Sequence, residues 1–203
     1  MSVAAFTDMP AALGAEHACD DEARLLERRQ VEQSVRGDPL AFRAIVERHH
    51  AGLYLLCSRL LRGPAEAEDA VQETFARAYC ALDRFDTRYR LSTWLHRIAV
   101  NVCRDLWRSG RAREQREARD AFSALDHVVD QPEALLQQRR SAQAVRDALD
   151  RLRPSYREVL VLKDMQELSY EEIHAITGTP ITALKIRAIR GRHKLRKLLG
   201  EGR

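Results

Sequence analysis

Four polar side chains in the middle of the sequence fall on one stripe of a predicted helix, within LSTWLHRIAVNVCRDLWRS at 91–109. They recur every three or four residues, which is the spacing of one helix face, and none is acidic: Arg97, Asn101, Arg104 and Arg108. The loop before them, DRFDTRYR at 83–90, interleaves arginines with aromatic residues. This pattern suits single-stranded nucleic acid, because bases stack on rings while cations neutralise phosphates. A solvated helix face is the alternative interpretation.

The C-terminal stretch PITALKIRAIRGRHKLRKLLGEGR at 180–203 also suits a polyanion, since residues 181–199 carry seven Lys/Arg and no carboxylate. Before it, Ser169-x-x-Glu172 predicts a capping box that starts a helix, and Gly178 predicts its left-handed end. Two helices joined by a short turn with glycine are typical of a helix-turn-helix, whose second helix enters the DNA major groove. The residues expected to face base edges are Thr182, Lys185, Ile186 and Arg187.

The apolar residues of this basic stretch narrow what it can bind. They recur at three, four or seven positions and predict an inward-facing stripe: Ile181, Leu184, Ala188, Leu195 and Leu198. A helix lying on a membrane surface is disfavoured, because the apolar side lacks Trp and Phe anchors. A basic helix that is only solvated remains the alternative to nucleic acid binding.

Carboxylates cluster in a third stretch, AEAEDAVQETFARAY at 65–79. Paired carboxylates serve in acid–base catalysis and in metal binding, but no nucleophile motif or second set of ligands accompanies these. We therefore expect no enzyme activity, no cofactor and no metal. A protein-docking face or a simple solvated helix remains.

The four cysteines form no C-x-x-C pair. This favours reduced structural thiols in the cytoplasm over a zinc site completed by one of four histidines, His17, His49, His50 and His96. The sequence also lacks an apolar run of about 18 residues, so no membrane insertion is predicted.

The elements that must position these residues are all helical, because alternating β-branched runs are absent. The all-α fold is expected as two small helical domains joined by a flexible linker, since 110–133 is charged and lacks a sustained apolar stripe. The predicted domains are 37–110 and 134–203, with an N-terminal extension at 1–36 and a linker at 111–133. Helices are predicted at 20–36, in two segments within 37–64, and at 65–82, 92–108, 134–152, 155–166, 169–177 and 180–199.

Four segments together resemble the extracytoplasmic-function (group 4) sigma factors of bacterial RNA polymerase, in the family's order. They are GDPLAFRAIVERHHAGLYLLCSRLL, AEDAVQETFARAY, RFDTRYRLSTWLHRIAVNVCRD and LDRLRPSYREVLVLKDMQELSYEEI. The resemblance covers roughly 37–200 and implies sigma region 2 in the first domain and sigma region 4 in the second. AEDAVQETF together with STWLHRIAVN is its specific part.

The resemblance implies a non-enzymatic subunit that directs core RNA polymerase to promoters and assists melting at the −10 element. Docking on the β′ clamp helices would involve Asp69, Gln72, Glu73 and Phe75. The −10 element would contact Phe85, Asp86, Arg88, Arg90, Trp94, Arg97, Asn101 and Arg104. The −35 element would contact Lys163, Thr182, Lys185, Ile186, Arg187 and Arg190. Implied partners are the β and β′ subunits of core polymerase, promoter DNA and an anti-sigma factor, in the cytoplasm at the nucleoid.

The predicted helix-turn-helix departs from the family pattern in two places: its second helix begins TALKIR at 182–187, where the family usually has a Gly-Thr-Val-Lys/Arg-Ser-Arg run, and a usual pair of alanines is absent. Ile186 stands where a serine is usual, which removes a hydroxyl but leaves a side chain able to touch a thymine methyl. His174 and Gly191 replace a usual pair of alanines. A glycine inside a helix costs about 1 kcal/mol against alanine, so we expect either a looser helix end or space needed by His174.

Two other classes of protein compete with the sigma factor. A stand-alone helix-turn-helix regulator would bind duplex DNA without polymerase, commonly as a dimer on a palindrome. A protein-interaction module would bind neither DNA nor polymerase. The AEDAVQETF stretch argues against the regulator, because such a protein has no need of a polymerase-docking helix.

Overall fold

The computed structural model describes the backbone of residues 18–117 and 143–200, and the side chains of 24–109 and 143–200. Within these ranges the chain is helical and contains no strand, which confirms the all-α fold. The helices are α1 (Ala18–Val35), α2 (Pro39–Leu60), α3 (Pro64–Ala81), α4 (Leu91–Glu117), α5 (143–150), α6 (Pro154–Leu160), α7 (Tyr170–Thr177) and α8 (Ile181–Gly200).

Helices α2, α3 and α4 pack around a shared core. Helix α2 begins after Asp38, whose carboxylate accepts a hydrogen bond from the Leu40 N–H at 2.9 Å and pairs a donor that has no partner inside the helix. Prolines open both α2 and α3, where the missing N–H is not needed. The predicted core stripe of α4 is confirmed: Leu95, Ile98 and Val102 are buried, and Leu106 packs against the core.

Helix α1 lies in the N-terminal extension and packs along α2. The predicted polar helix that stops at Gly37 is confirmed, because Gly37 follows it with a φ of +94°, a conformation that side chains disfavour. Val31 is 3% exposed, and Glu27 pairs with His49 of α2 at 3.2 Å. The extension therefore contributes a helix to the N-terminal bundle.

The helix-turn-helix is formed by α7 and α8. The capping box is present: the Ser169 hydroxyl accepts the Glu172 N–H at 3.1 Å, and the Glu172 carboxylate accepts the Ser169 N–H at 2.8 Å. Gly178 ends α7 in the left-handed conformation, with a φ of +68°. Leu184 and Ala188 of α8 are fully buried, as the inward stripe predicted.

Several element boundaries differ from those expected. Segment 37–64, expected to hold two segments, forms one helix, α2, which continues through Gly52 without a break. Helix α4 continues to Glu117, into the segment predicted as linker. A π-helical turn (Val161–Met165) continues α6 where a regular helix was expected. The rest of the predicted linker, and the start of the helix predicted at 134–152, lie outside the described residues.

The two helical domains share a continuous core and polar contacts. Val159, Leu162 and Ile173 join the buried cluster of the N-terminal bundle. The last carbonyls of a helix have no partner within it, and the Leu60 carbonyl at the end of α2 accepts two side-chain donors. These are the Trp107 indole Nε1–H at 3.0 Å and the Arg157 guanidinium at 2.8 Å. A side chain of the C-terminal domain thus completes a helix end of the other domain.

Candidate nucleic-acid interface

The loop between α3 and α4 is held in shape by its own side chains. The Asp86 carboxylate accepts the Arg88 N–H at 3.0 Å and the Arg88 Nε–H at 2.9 Å, and the Asp86 carbonyl accepts the Tyr89 N–H at 3.0 Å. Bonding from Arg88 holds the pKa of the Asp86 carboxyl below its ordinary value. The loop therefore presents a compact turn with an ionised carboxylate bound to the Arg88 cation.

Two aromatic residues predicted at the −10 site lie beneath this loop. The rings of Phe85 and Trp94 are 5.0 Å apart and tilted by 45°. Trp94 is only 3% exposed and Phe85 is half-buried. In this arrangement Trp94 supports the loop from within the core, while Arg88 is exposed and Arg90 half-buried.

The predicted cationic stripe of α4 faces the C-terminal domain. Arg104 donates two hydrogen bonds to the Glu158 carboxylate of α6, from Nε and from Nη2, each at 2.7 Å. The Glu158 side chain is 4% exposed, so this ion pair is buried on its acidic side. Arg97 and Asn101 are half-buried, and burial lowers the pKa of the Arg97 guanidinium. The stripe is thus partly covered, and its second cation, Arg104, is already paired.

The outer face of α8 is open by contrast. Thr182, Lys185, Ile186 and Arg190 are all exposed, with Ile186 at 51%. Arg187 is half-buried instead, and its Nη1 lies 3.4 Å from the Thr179 hydroxyl. The predicted base-facing residues therefore fall into an exposed set and one residue, Arg187, that is half-buried and in contact with its own domain.

Lys163 reaches the same side of the helix-turn-helix from the π-helical turn. Its ammonium donates to the Leu168 carbonyl at 2.9 Å and lies 5.3 Å from the centre of the Tyr170 ring. The Lys185 ammonium lies 5.8 Å from the centre of that ring. Tyr170 thus joins the two cations predicted for the −35 site, through the attraction between cations and an aromatic ring.

The departures at His174 and Gly191 have separate structural reasons. The His174 ring nitrogen Nδ1 lies 2.9 Å from the Thr179 carbonyl, so the imidazole bridges the turn. A Cβ on Gly191 would lie 3.2 Å from Leu160, which shows that the close approach is to α6. The expectation that Gly191 leaves space for His174 is therefore wrong.

The acidic stretch forms α3 and presents three of its four predicted docking residues to solvent. Asp69, Gln72 and Glu73 are exposed, whereas Phe75 is 7% exposed. The Phe75 ring packs edge-on against Phe42, with the ring centres 6.5 Å apart. Phe75 therefore backs the polar face from inside the bundle.

Two family profiles match this two-domain arrangement. Residues 45–113 match the description Sigma-70 region 2, and residues 142–195 match Sigma-70, region 4. The ECF RNA polymerase sigma factor SigW of Bacillus subtilis is 35% identical over 179 residues, which cover 85% of this chain and 96% of SigW. The chain belongs to the extracytoplasmic-function sigma factors of RNA polymerase.

Other relatives and solved structures agree with this assignment of the sigma factor. The RNA polymerase sigma factor CarQ of Myxococcus xanthus is 34% identical, covering 79% of this chain and 90% of CarQ. A structure of CnrH in complex with the cytosolic domain of CnrY has a TM-score of 0.63 and 30% identity, covering 87% of this chain and 98% of that chain. The sigma factor RpoE of Bartonella quintana, in complex with the anti-sigma factor NepR, has a TM-score of 0.62 and 27% identity, covering 80% and 98%.

These similarities establish an alternative sigma factor of RNA polymerase, and a stand-alone helix-turn-helix regulator is not favoured. A regulator of that class would not account for the match of 45–113 to sigma region 2. In the part of the sigma factor that the structure describes, no helix is long and apolar enough to cross a membrane.

The cysteines and histidines of the sigma factor form no group able to hold a metal within the described residues. Cys57 and Cys103 are buried free thiols with their sulfurs 3.9 Å apart, and Cys80 is exposed. The hydrogen bond to Cys57, together with burial, raises the pKa of the Cys103 thiol well above its ordinary value. The zinc candidates that include His17 and Cys19 lie outside the described side chains.

Three residues that bear on the interface were not singled out in the sequence. Arg157 and Glu158 connect the two domains of the sigma factor, and Arg28 of α1 donates to the Thr87 carbonyl at 3.0 Å. The only local signal for the first two was a charged pair directly before the apolar run VLVL. Nothing in the spacing linked Arg28 to the loop, because the two partners are 59 positions apart.

Proposed function

We propose that this sigma factor reads its promoter through two separate faces and docks on core polymerase through a third. The observation that carries the proposal is the arrangement of α8. One side of this helix is buried in the domain, and the other presents Lys185, Ile186 and Arg190 to solvent as the second helix of a capped helix-turn-helix. This is the geometry that places side chains at base edges in the major groove.

At the −35 element, cations and an apolar side chain would have different roles. Lys185, Arg190 and Lys163 would contact phosphates or guanine edges, since cations fix the register on DNA and also pair with guanine. Ile186 would contact a thymine methyl, because it carries no hydrogen-bonding group. Arg187 would join them after turning from its position beside Thr179.

At the −10 element, the compact loop would receive an unpaired base. Asp86, Arg88 and Asn101 offer acceptors and donors for a base edge, and Phe85 offers a ring that is half-exposed. Trp94 would act from beneath by holding Phe85 in place. Captured base contacts would offset part of the cost of unstacking the duplex, which is how binding alone assists melting.

Access to the α4 stripe would depend on the position of the C-terminal domain. The two Arg104 N–H groups that bind Glu158 would become available to a phosphate only when that carboxylate is displaced. The two domains would therefore separate when the sigma factor engages polymerase and the −10 element. The same cation would stabilise the packed form through Glu158 and the bound form through DNA.

Docking on polymerase would use the polar face of α3. Asp69, Gln72 and Glu73 would contact the β′ subunit, with Phe75 giving that face a rigid base. The sigma factor would also contact β, act by binding and not by catalysis, and work in the cytoplasm at the nucleoid. The complex of RpoE with the anti-sigma factor NepR supports an anti-sigma partner here as well.

The proposal is tested by transcription in vitro over genomic fragments with core polymerase plus this protein, followed by run-off assays on the selected promoter. Lys185→Ala and Arg187→Ala should each lower initiation that depends on the −35 element. Arg196→Ala is the matched control, because it removes an exposed cation from the far end of the same helix. Unchanged initiation by both test variants would refute the −35 assignment.

Polymerase docking is tested separately by co-purification. Glu73→Arg should reduce recovery with core polymerase, while Glu47→Arg on α2 should not. A wild-type chain that binds its promoter alone and fails to bind core polymerase would favour a stand-alone regulator.

A further inference from the structure

Helix α1 touches the proposed base-capture loop directly. The Arg28 Nε–H donates to the Thr87 carbonyl at 3.0 Å, across 59 positions of sequence. A narrow cleft runs along this contact, with Arg24 and Val31 of α1 on one wall and Phe85 and Tyr89 of the loop on the other. The N-terminal extension thus forms one side of the surface that the loop presents.

Helix α1 is itself fastened to the bundle on both sides of Arg28. The Glu27 carboxylate lies 3.2 Å from the His49 Nε2 of α2, and the two side chains are 20% and 14% exposed. Val31, one turn further along, is 3% exposed in the core. Arg28 therefore extends from a helix that is packed against the bundle, so its hydrogen bond to Thr87 can restrict the position of the loop.

The loop has anchors at its ends and within its tip, but Thr87 lies between them. Phe85 rests on Trp94 at the start, and the Arg90 carbonyl accepts the Trp94 N–H at 3.2 Å at the end. The bonds between Asp86 and Arg88 shape the tip internally. The bond from Arg28 ties the middle of the tip to another helix.

We propose that Arg28 is a positioning residue for promoter opening: by holding the Thr87 carbonyl, it fixes the 85–90 loop in the shape that selects the unpaired −10 base. This inference rests on the proposed function of that loop. Arg28 acts through the backbone of Thr87 and is not itself required to touch DNA. Losing the bond would let the tip adopt several shapes, and a loop with several shapes discriminates less well between bases.

The test measures base discrimination by the holoenzyme. The probe is a fluorescent single strand that carries the −10 element of the selected promoter, together with copies in which one base is replaced. Arg28→Met removes the donor while keeping an unbranched apolar stem on α1. We expect the affinity ratio between the parent strand and its replaced copies to fall about twofold to fivefold, since the bond lost is charge-assisted but solvent-exposed.

Two variants separate positioning from general damage. Arg28→Lys keeps a cationic donor and should restore part of the ratio, whereas Arg29→Met, an exposed neighbour on the same helix, should leave it at the wild-type value. Recovery with core polymerase should be unchanged in all three. If Arg28→Met lowers the melting temperature, a stably folded Arg28→Lys chain decides: regained discrimination supports the role, and none refutes it.

The outcomes also distinguish this inference from the function on which it rests. A wild-type holoenzyme that binds all the strands equally would refute base capture by the loop. Wild-type discrimination that Arg28→Met retains in full would leave base capture standing and overturn the role of Arg28.

Discussion

The two faces predicted to bind DNA differ in how much of each is open in the packed molecule. On α8, Lys185, Ile186 and Arg190 are exposed and the helix is buried only on its opposite side. On α4, Arg97 and Asn101 are half-buried and Arg104 is bound to Glu158 of the other domain. We call the exposed residues of α8 the open face and the covered residues of α4 the closed face. The C-terminal domain carries the open face, and its Glu158 on α6 also binds Arg104 of the closed face.

Because of this difference, the two predicted binding events, −35 recognition by α8 and −10 recognition by α4, place different demands on the packing of the domains. On α8, Lys185, Ile186 and Arg190 are exposed in the packed molecule, and only Arg187 would have to leave its contact with Thr179 to reach DNA. The α4 stripe would need the two domains to separate. If Arg104 left Glu158 for DNA while the domains stayed packed, the buried Glu158 carboxylate would have no partner. We therefore expect −35 recognition to depend mainly on local chemistry and −10 recognition to depend also on domain separation.

The largest expected effect comes from breaking the domain contact at Arg157. Its guanidinium donates to the carbonyls of Leu149 and Leu60 and pairs with Asp150, each at 2.8 Å. Arg157→Met should lower the free energy of unfolding by about 3–5 kcal/mol, because Asp150 and a helix-end carbonyl lose a buried partner. Urea denaturation measures this change.

The control for that prediction is Arg151→Met, which alters an exposed cation close to the same helix. A loss for Arg157→Met no larger than that of the control would show that the packed arrangement contributes little to stability.

A second prediction concerns the ion pair between Glu158 and Arg104 of α4. Glu158→Gln removes the charge that holds Arg104, so the free sigma factor should bind the −10 single strand about tenfold more tightly, since a bond to a charged group contributes about 1.5 kcal/mol or more. Fluorescence anisotropy with the labelled strand measures this. Asp164→Asn, which weakens the Arg192 pair on another side of the same domain, should not change the affinity.

If Glu158→Gln binds the strand with wild-type affinity, coverage by the C-terminal domain does not limit access to α4. The contrast between the closed and open faces would then have no functional consequence.

A third prediction sharpens the open face. Ile186→Ser should change the free energy of unfolding by no more than about 0.5 kcal/mol, because the side chain is 51% exposed. It should alter preference at one −35 base pair by about 1 kcal/mol, as a methyl contact is exchanged for a hydroxyl. Competition binding with single-position variants of the selected promoter checks this, and an unchanged preference at every position would remove Ile186 from the base contacts.

The smallest expected effect is a pH dependence of the free energy of unfolding, caused by His96 of α4. Burial is the main cause that lowers the pKa of His96 below its ordinary value, and Ser92, His49 and Glu172 of α7 also face the ring. Because the unfolded chain then binds a proton at higher pH than the folded chain, this contribution to stability is present above about pH 6.5 and is lost as pH falls. His96→Leu should make stability below pH 6.5 less sensitive to pH.

His193→Leu, on the exposed side of α8, is the matched control and should preserve the wild-type pH dependence. Urea denaturation at several pH values compares the three chains. A wild-type slope retained in His96→Leu would assign the acid sensitivity to another group.

Local patterns predicted most of the elements correctly. Ser169 with Glu172 started α7, Gly178 ended it, and the apolar period placed Leu184 on the buried side of α8. These patterns failed where the environment of a residue is set by a different helix packed against it. Gly191 was linked to His174, yet the atoms that crowd it belong to Leu160, because helix spacing describes one helix and not the helix packed against it.

The sequence by itself determined the all-α fold, the helix-turn-helix and which residue types could bind nucleic acid, because caps, turns and helical periods are set by residues within a few positions of one another. Only the tertiary structure decided which of those residues are open and which are held. Arg104 meets Glu158 across 54 positions and Arg28 meets Thr87 across 59. Such pairs form when helices from distant parts of the chain bury a common core, and no local spacing records which side chains that core brings together.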